Sequence, residues 1–204
     1  MIKQNKNETT IQKLLFIDSN VPDAEILLAG LQPGYNVITI SSESDPVHQI
    51  SSALSSHAPV NELTILAHAQ PGHIEFSNQP LDLAALNHRD SEAINGRNSL
   101  TENATISIYA CQLASDEIGQ IFIEKLGQLT GAKVAAASQL IGKVGSSDNW
   151  LLDRFSKPFE VLMPFNKYAM ANYSYTLAPE ISISGASTVE NGTMQFVVTL
   201  SETS

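Results

Sequence analysis

A histidine and a cysteine each stand at the end of a predicted buried strand. His68 follows the apolar run 63–67, and Cys111, the only cysteine of the chain, follows the run 105–110. Helix-like segments separate the two runs, and in a parallel α/β sheet the carboxyl ends of the strands face a common crevice in which ligands bind. A thiol and an imidazole at one crevice are the minimum set for a cysteine nucleophile with a general base.

A purely structural role for each of the two residues is the alternative interpretation. A lone cysteine most often packs as a small buried hydrophobe. A histidine at a strand end is most often a hydrogen-bonded polar residue near the surface. The shared topological position of His68 and Cys111 is what favours the chemical interpretation of the pair.

The composition narrows the classes of function. With 43% hydrophobic and 16% charged residues, the 204-residue chain has enough apolar side chains for a packed core. The net charge of −10 argues against nucleic acid or an anionic membrane surface as a partner, because both require a basic face. A single cysteine excludes an internal disulfide framework and a cysteine-rich zinc site. We expect neither a membrane span nor an N-terminal secretion signal in this sequence.

The elements that position the two residues follow a regular rhythm. Apolar runs predict strands at 14–17, 36–40, 63–67, 105–110 and 133–137, and helical spacing predicts helices between them. Ser44, Asp45 and Pro46 are typical of a helix start, and Gly131 is typical of a helix end. Residues 150–152 are predicted as a further edge strand. This order predicts a three-layer, doubly wound α/β domain with a mainly parallel sheet over residues 12–155.

Both ends of the chain have a different pattern. Residues 1–11 are polar and are predicted to be disordered. Residues 156–178 contain Pro158 and Pro164 and no clear period, which predicts a linker that packs partly on the domain. From residue 179 to 204 the pattern alternates, and Asn191-Gly192 is a hairpin signal. Two or three strands do not form a stable sandwich alone, so this last part is interpreted as the beginning of an incomplete all-β domain.

The α/β region resembles an uncharacterised domain family. The matching segments are LFIDS at 15–19, His68 with Pro71-Gly72, IYACQLA at 108–114, TGAKVAAAS at 130–138 and NWLL at 149–152. The family is a numbered domain of unknown function at the N-terminus of very large bacterial surface proteins. The resemblance implies that this chain is the N-terminal domain of a surface or secreted adhesin-type protein, located at the cell surface or outside the cell.

The C-terminal segment resembles the start of a Calx-beta repeat, which follows the first family in such proteins. The resemblance rests on ISI at 181–183, VENG at 189–192 and FVVTLS at 196–201. It implies that calcium is the ion of the complete repeat. Glu190 and Glu202 are the acidic candidates here, and they are too few for a site of six to eight oxygens. The α/β domain itself is expected to need no cofactor.

The α/β domain is also similar to the caspase-like clan of cysteine peptidases, so the fold is expected to be caspase-like or flavodoxin-like. The clan has a histidine after strand three and a cysteine after strand four, where this chain has His68 and Cys111. The resemblance implies an oxyanion hole formed by the backbone N–H groups of Ala69 and Cys111. Ala69 stands where the clan usually has glycine, and alanine keeps the N–H group but resists a positive φ. The resemblance implies that Asp18 receives a basic side chain before the cleaved bond, so that cleavage follows Arg or Lys, or else Asp18 caps the following helix.

Two hypotheses of function therefore stand side by side. In the first, the domain is a cysteine endopeptidase that acts in self-processing, on a polypeptide segment of its own chain or on another surface protein. In the second, it is a non-catalytic capping or partner-binding module of the adhesin. The reactivity of the Cys111 thiol distinguishes the two, because a catalytic thiol is activated and a structural one is inert.

Overall fold

A six-stranded sheet forms the centre of the molecule. The computed structural model describes residues 12–77, 79–88, 97–144 and 147–179, together with the backbone of two further strands at 181–184 and 197–200. In chain order the elements are β1 (Gln12–Asp18), α1 (Ala24–Leu28), β2 (Tyr35–Ile40), α2 (Pro46–His57), β3 (Val60–Leu66), β4 (His68–Gln70), β5 (His73–Glu75), β6 (Pro80–Leu81), α3 (Leu83–His88), β7 (Leu100–Tyr109), α4 (Glu117–Thr130), β8 (Lys133–Ala136), β9 (Gly142–Val144), β10 (Ser147–Asn149), β11 (Arg154–Phe155), α5 (Lys167–Asn172), β12 (Ile181–Ser184) and β13 (Val197–Leu200).

The strand order in the central sheet is β11-β8-β7-β3-β1-β2. Neighbouring strands are parallel except at one edge, where β11 is antiparallel to β8. The sheet and its flanking helices confirm the predicted α/β class with a mostly parallel sheet. After β2 the chain crosses back over β1, so the strand order reverses between β1 and β3, the position beside which ligands bind in open sheets of this type.

Two hydrophobic cores lie on opposite faces of the sheet, because successive side chains of a strand point to opposite faces. Leu14 and Phe16 of β1 belong to the first core, which includes residues of α2, α3 and α4. Leu15 and Ile17 belong to the second core, which includes residues of α1, α5 and the loops after β8. Alternate side chains of this one strand thus lie in the two cores, with the sheet as the middle of the three layers.

The predicted ends of two helices agree with the structure. Asp45 caps α2, and its Oδ1 accepts hydrogen bonds from the N–H groups of Val47 at 2.9 Å and His48 at 3.1 Å. Gly131 ends α4 in the left-handed region with φ +75°. These ends are predictable because they depend on short-range chemistry at one or two residues.

The predicted edge strand at residues 150–152 is wrong, since the edge strand is Arg154–Phe155. Trp150 instead packs in the second core, with its ring centroid 6.3 Å from that of Tyr109, 6.0 Å from Phe165 and 5.8 Å from Tyr173. The composition of an apolar triplet does not show whether it pairs as a strand or packs its side chains into a core. Here the triplet is not a strand, and the Trp150 ring packs against other aromatic rings.

The segment 156–178, predicted as a linker, contributes to the second core. Phe165, Met170, Tyr173 and Leu177 are all buried there, and residues 167–172 form α5. The packed body therefore extends past residue 155 to Leu177. Beyond it, β12 and β13 pair antiparallel, with Ile181 opposite Leu200. The predictions for residues 1–11 and for the Asn191-Gly192 turn concern residues outside the described part of the chain.

Candidate active site

The backbone segments that carry His68 and Cys111 lie side by side at the carboxyl edge of the sheet. Leu66 at the end of β3 pairs with Tyr109 at the end of β7. Beyond this pair, the Ala67 N–H donates to the Tyr109 carbonyl at 3.3 Å, and the Gly72 N–H donates to the Leu113 carbonyl at 2.9 Å. The two residues thus follow adjacent strands at equivalent positions.

The Cys111 thiol is covered in the second core. The residue is only 1% exposed. Its Sγ donates to the Ile141 carbonyl at 3.4 Å and accepts from the Ile141 N–H at 3.1 Å. Burial raises the pKa of the Cys111 thiol to about 11, although hydrogen bonds from the backbone of Ile141 and Leu177 act in the opposite direction. The resting side chain is therefore a neutral thiol at neutral pH.

The His68 ring is oriented by a backbone carbonyl. Its Nε2 lies 3.3 Å from the carbonyl oxygen of Asn20. A carbonyl oxygen only accepts, so Nε2 carries the proton in this arrangement and Nδ1 of the neutral ring has the free lone pair. Nδ1 is buried and has no hydrogen-bond partner in the described part of the chain. A buried ring nitrogen without a partner is unusual, and in the described residues Trp150 Nε1 is in the same state.

Asp18 fixes the loop that presents the Asn20 carbonyl. Asp18 is 1% exposed, and its Oδ1 accepts from the Asn20 N–H at 3.0 Å and from the Ser77 Oγ at 2.8 Å. Its Oδ2 accepts from the Ser77 N–H at 3.0 Å. Both carboxylate oxygens thus have donors within the protein. The role of Asp18 as the receptor of a basic substrate side chain stays a prediction.

Ala69 does not need the backbone freedom of glycine in this structure. It lies in β4 opposite Ile74, with its side chain buried in the first core. Among the described residues, the non-glycine residues with positive φ are Asp23 and Gln112. Since Ala69 is not one of them, its side chain is compatible with the local backbone. Its N–H as an oxyanion donor stays a prediction.

Gln112 places the turn that follows the cysteine. Its φ of +55° is in the left-handed region, which is unusual for a residue with a side chain and is often seen at functional turns. The Gln112 N–H donates to the Gln139 carbonyl at 3.0 Å, and the Ala114 N–H donates to the Ala137 carbonyl at 3.1 Å. The loop after β7 is thereby attached to the loop after β8, which carries Ile141.

A later segment, residues 173–178, passes over the cysteine, and we call it the strap. The Cys111 N–H donates to the Leu177 carbonyl at 3.4 Å. Thr176 forms an antiparallel bridge with Gly142. On either side of the bridge, the Lys143 N–H donates to the Tyr175 carbonyl at 2.7 Å and the Leu177 N–H donates to the Ile141 carbonyl at 2.9 Å. Sequence reasoning missed the strap and the Asn20 carbonyl, because backbone groups leave no mark on a residue pattern.

Within the described ranges, no cluster of three or more His, Cys, Asp or Glu side chains is arranged to hold a metal ion. Of the helices in those same ranges, none has both the length and the apolar character needed to cross a membrane.

The chain matches the family described as "Domain of unknown function (DUF4347)" over residues 14–177. It belongs to the DUF4347 family. The matched range begins in β1 and ends at Leu177, so the strap lies at the C-terminal border of the DUF4347 domain. No curated protein matches the chain.

Among solved structures, a match titled "Crystal structure of a small-chain dehydrogenase" covers 59% of this chain and 78% of its own, with 10% identity and a TM-score of 0.32. A likeness this distant carries no argument about the DUF4347 domain.

Proposed function

We propose that this DUF4347 domain is a cysteine endopeptidase with Cys111 as nucleophile and His68 as general base. The observation that carries the proposal is the state of the His68 ring. Nε2 faces the Asn20 carbonyl, while Nδ1 is buried without a partner at the sheet edge where Cys111 also lies. An oriented imidazole with a free lone pair is the form that a general base requires.

In the first half of the reaction, Nδ1 of His68 takes the thiol proton as Sγ of Cys111 bonds to a peptide carbonyl carbon. The π electrons of the carbonyl move to its oxygen, which the N–H groups of Cys111 and Ala69 stabilise. The Asn20 carbonyl supports the transient imidazolium through Nε2–H. The carbon–nitrogen bond then breaks, and His68 gives its proton to the leaving amine.

In the second half, a thioester on Cys111 is hydrolysed. His68 takes a proton from water as the water oxygen attacks the thioester carbon. The carbon–sulfur bond breaks, the sulfur recovers a proton through His68, and a carboxylic acid leaves. Each cycle consumes one water molecule and needs no oxidant or cofactor.

The raised pKa of Cys111 determines how the thiol must be activated. With a pKa of about 11, the covered thiol does not form a standing thiolate–imidazolium pair at neutral pH. The proton has to leave during the attack, or the thiol has to be uncovered first so that its pKa falls. The structure with the covered, protonated thiol therefore corresponds to a resting form of the proposed enzyme.

The substrate and setting that we propose follow from the family resemblance. The substrate is a polypeptide segment of the same chain or of a neighbouring surface protein, because a tethered segment has a high effective concentration. Asp18 at the carboxyl end of β1 is proposed as a receptor for Arg or Lys once it exchanges its Ser77 partners. We place the protein at the bacterial cell surface or outside the cell. Calcium would be bound by the complete Calx-beta repeat.

The second candidate is a non-catalytic capping or partner-binding module of an adhesin. The burial of Cys111 favours it, since the thiol already has both of its hydrogen bonds to Ile141. A cysteine in such surroundings is ordinarily inert. His68 and Asp18 would then serve only to hold the loops after β1 and β3.

The proposal is tested by mapping new N-termini after incubation of the full chain, by mass spectrometry. Cys111→Ala and His68→Ala remove the nucleophile and the base. His48→Ala is the matched control, because His48 is an exposed histidine on α2. We expect fragments from the wild type and His48→Ala only. Equal fragments from every variant would assign the cutting to a contaminant. The absence of fragments, with Cys111 alkylating no faster than a free thiol, would favour the binding module.

A further inference from the structure

We propose that the strap occupies the substrate position of the Cys111 site in cis, with the Leu177–Ala178 bond presented for cleavage. The inference rests on the proposed function and names its substrate. The Cys111 N–H is the oxyanion donor in that function, and in this structure it donates to the Leu177 carbonyl oxygen at 3.4 Å. The carbonyl that lies on the oxyanion donor belongs to the residue before the scissile bond.

The strap binds as peptide substrates do, by adding a strand to the edge of a neighbouring segment. Main-chain hydrogen bonds supply the affinity in that mode, and pockets for alternate side chains supply the specificity. Here the receiving edge is formed by Ile141, Gly142 and Lys143. It exchanges two hydrogen bonds with the strap, one to the Tyr175 carbonyl at 2.7 Å and one from the Leu177 N–H at 2.9 Å.

Gly142 is the residue that permits this close approach. Its φ is +97°, and a Cβ built at this position would overlap the Tyr175 carbonyl oxygen. Glycine is therefore required both by the backbone conformation and by the contact with the strap. Gly34 offers a comparison, because its φ is +95° but nothing lies within 4 Å of a Cβ built there.

The buried position of the Leu177 side chain defines the class of substrate. The Leu177 side chain is 0% exposed within the second core. The strap thus presents an apolar, leucine-sized residue before the cleaved bond and a small residue after it, and the Arg or Lys proposed for Asp18 concerns substrates other than the strap. Cleavage would release a new N-terminus at Ala178, at the border of the family domain. While the strap is bound, it closes the site to other chains.

The test compares Gly142→Ala with Gly34→Ala by the rate at which iodoacetamide alkylates Cys111. Both substitutions strain a positive φ, and only the first collides with the strap. We expect Gly142→Ala to react at least about tenfold faster than the wild type, since local opening exposes the thiol, and Gly34→Ala to react at the wild-type rate. Near-UV circular dichroism verifies that each variant is folded. Equal rates for all three proteins would overturn the proposal.

Leu177→Asp is the second variant. It leaves the receiving edge intact, but the charged side chain prevents the strap from binding in the buried position of Leu177. The peptide Tyr-Ser-Tyr-Thr-Leu-Ala, which has the sequence of residues 173–178, is expected to slow alkylation of this variant. The same peptide with Asp in place of Leu is expected not to do so. If both peptides protect Cys111 equally, or neither protects it, the assignment of Leu177 to the position before the cleaved bond is wrong.

Cleavage data separate this inference from the proposed function. Faster alkylation of the opened variants, without any Cys111-dependent fragment, would end the peptidase proposal and leave the strap as a cover. Cys111-dependent fragments that begin at a residue other than Ala178 would support the peptidase and overturn the assignment of the Leu177–Ala178 bond. Fragments that begin at Ala178 and disappear in Cys111→Ala would support both.

Discussion

The two cores of the domain differ in what covers them. The first core is covered by α2, α3 and α4, of which α2 and α4 have 12 and 14 residues. The second core is covered by the short helices α1 and α5, by the loops after β8 and by the strap. Helices satisfy their own backbone groups, whereas loops and straps must find partners elsewhere. The candidate site lies on the side of the second core, where backbone groups of Ile141 and Leu177 form hydrogen bonds with Cys111.

The contrast bears on where a binding or catalytic site can form in this fold. Regular helices cover a core well, but they offer few backbone N–H or C=O groups to a neighbouring side chain. Irregular segments bring such groups to the sheet edge, which is why binding residues concentrate on loops held by a rigid scaffold. We therefore expect substitutions in the first core to change the stability alone. Substitutions around the second core should also change the reactivity of the Cys111 thiol.

The largest effect is expected in the first core, from Phe122→Ala. Phe122 is fully buried on α4, and removing its ring leaves a cavity that costs about 3–5 kcal/mol of unfolding free energy. Urea denaturation measures this cost. The alkylation rate of Cys111 under native conditions should stay within a small factor of the wild-type rate. A loss of less than about 1 kcal/mol would show that the first core is loosely packed.

The next effect concerns Asp18, on the site side. Asp18→Ala removes an acceptor of three hydrogen bonds and leaves the N–H groups of Asn20 and Ser77 without it. Losing bonds to a charged group costs roughly 1.5–3 kcal/mol. Because the Asn20 carbonyl moves, we also expect self-cleavage to fall more than the stability does, as measured by fragment yield at matched folded fraction. Unchanged cleavage in the folded variant would argue that the Asn20 carbonyl does not orient His68.

Alkaline pH should weaken the second core through Cys111. Its thiol pKa rises on folding from an ordinary value near 9 to about 11, so the folded state holds the proton more tightly. The resulting stabilisation is complete below pH 9 and is lost as the pH rises from 9 to 11, on the order of 2 kcal/mol. Burial also raises the pKa of Tyr109, and this contribution remains in Cys111→Ala. The decrease in unfolding free energy from pH 7.5 to pH 10.5 should therefore be larger in the wild type than in that variant. Equal falls would exclude the thiol as a source.

The smallest effect is expected at the cap of α2. Asp45→Ala removes the acceptor for the N–H groups of Val47 and His48, at a cost of about 1 kcal/mol. Thermal melting measures it, and Cys111 alkylation should not change. A change in alkylation would mean that the two sides of the sheet are coupled more strongly than the separate cores indicate.

The sequence predicts the first side of the molecule better than the second. Asp45 and Gly131 mark helix ends by local chemistry, and the apolar runs mark β1, β3 and β7 because strands buried on both faces read as continuous apolar segments. Trp150 and Phe165 show the limit. They lie in segments without periodicity, and their burial depends on ring contacts between residues that are distant in the sequence.

The same limit holds within the site. His68 and Cys111 are visible in the sequence because each follows an apolar run. The Asn20 carbonyl and the Leu177 carbonyl are not visible, since any residue type carries a backbone carbonyl. Gly142 contacts the strap at a positive φ, which glycine tolerates, but the sequence shows only a glycine and does not distinguish it from a turn glycine.

The most direct test of the His68–Cys111 dyad is the pH profile of Cys111 alkylation with the strap displaced. The measurement uses Gly142→Ala alone and Gly142→Ala combined with His68→Ala. A neighbouring imidazole favours the thiolate, so the account predicts rapid alkylation below pH 8 in the single variant and its loss in the double variant. Identical profiles in the two proteins, both following a free thiol, would contradict it.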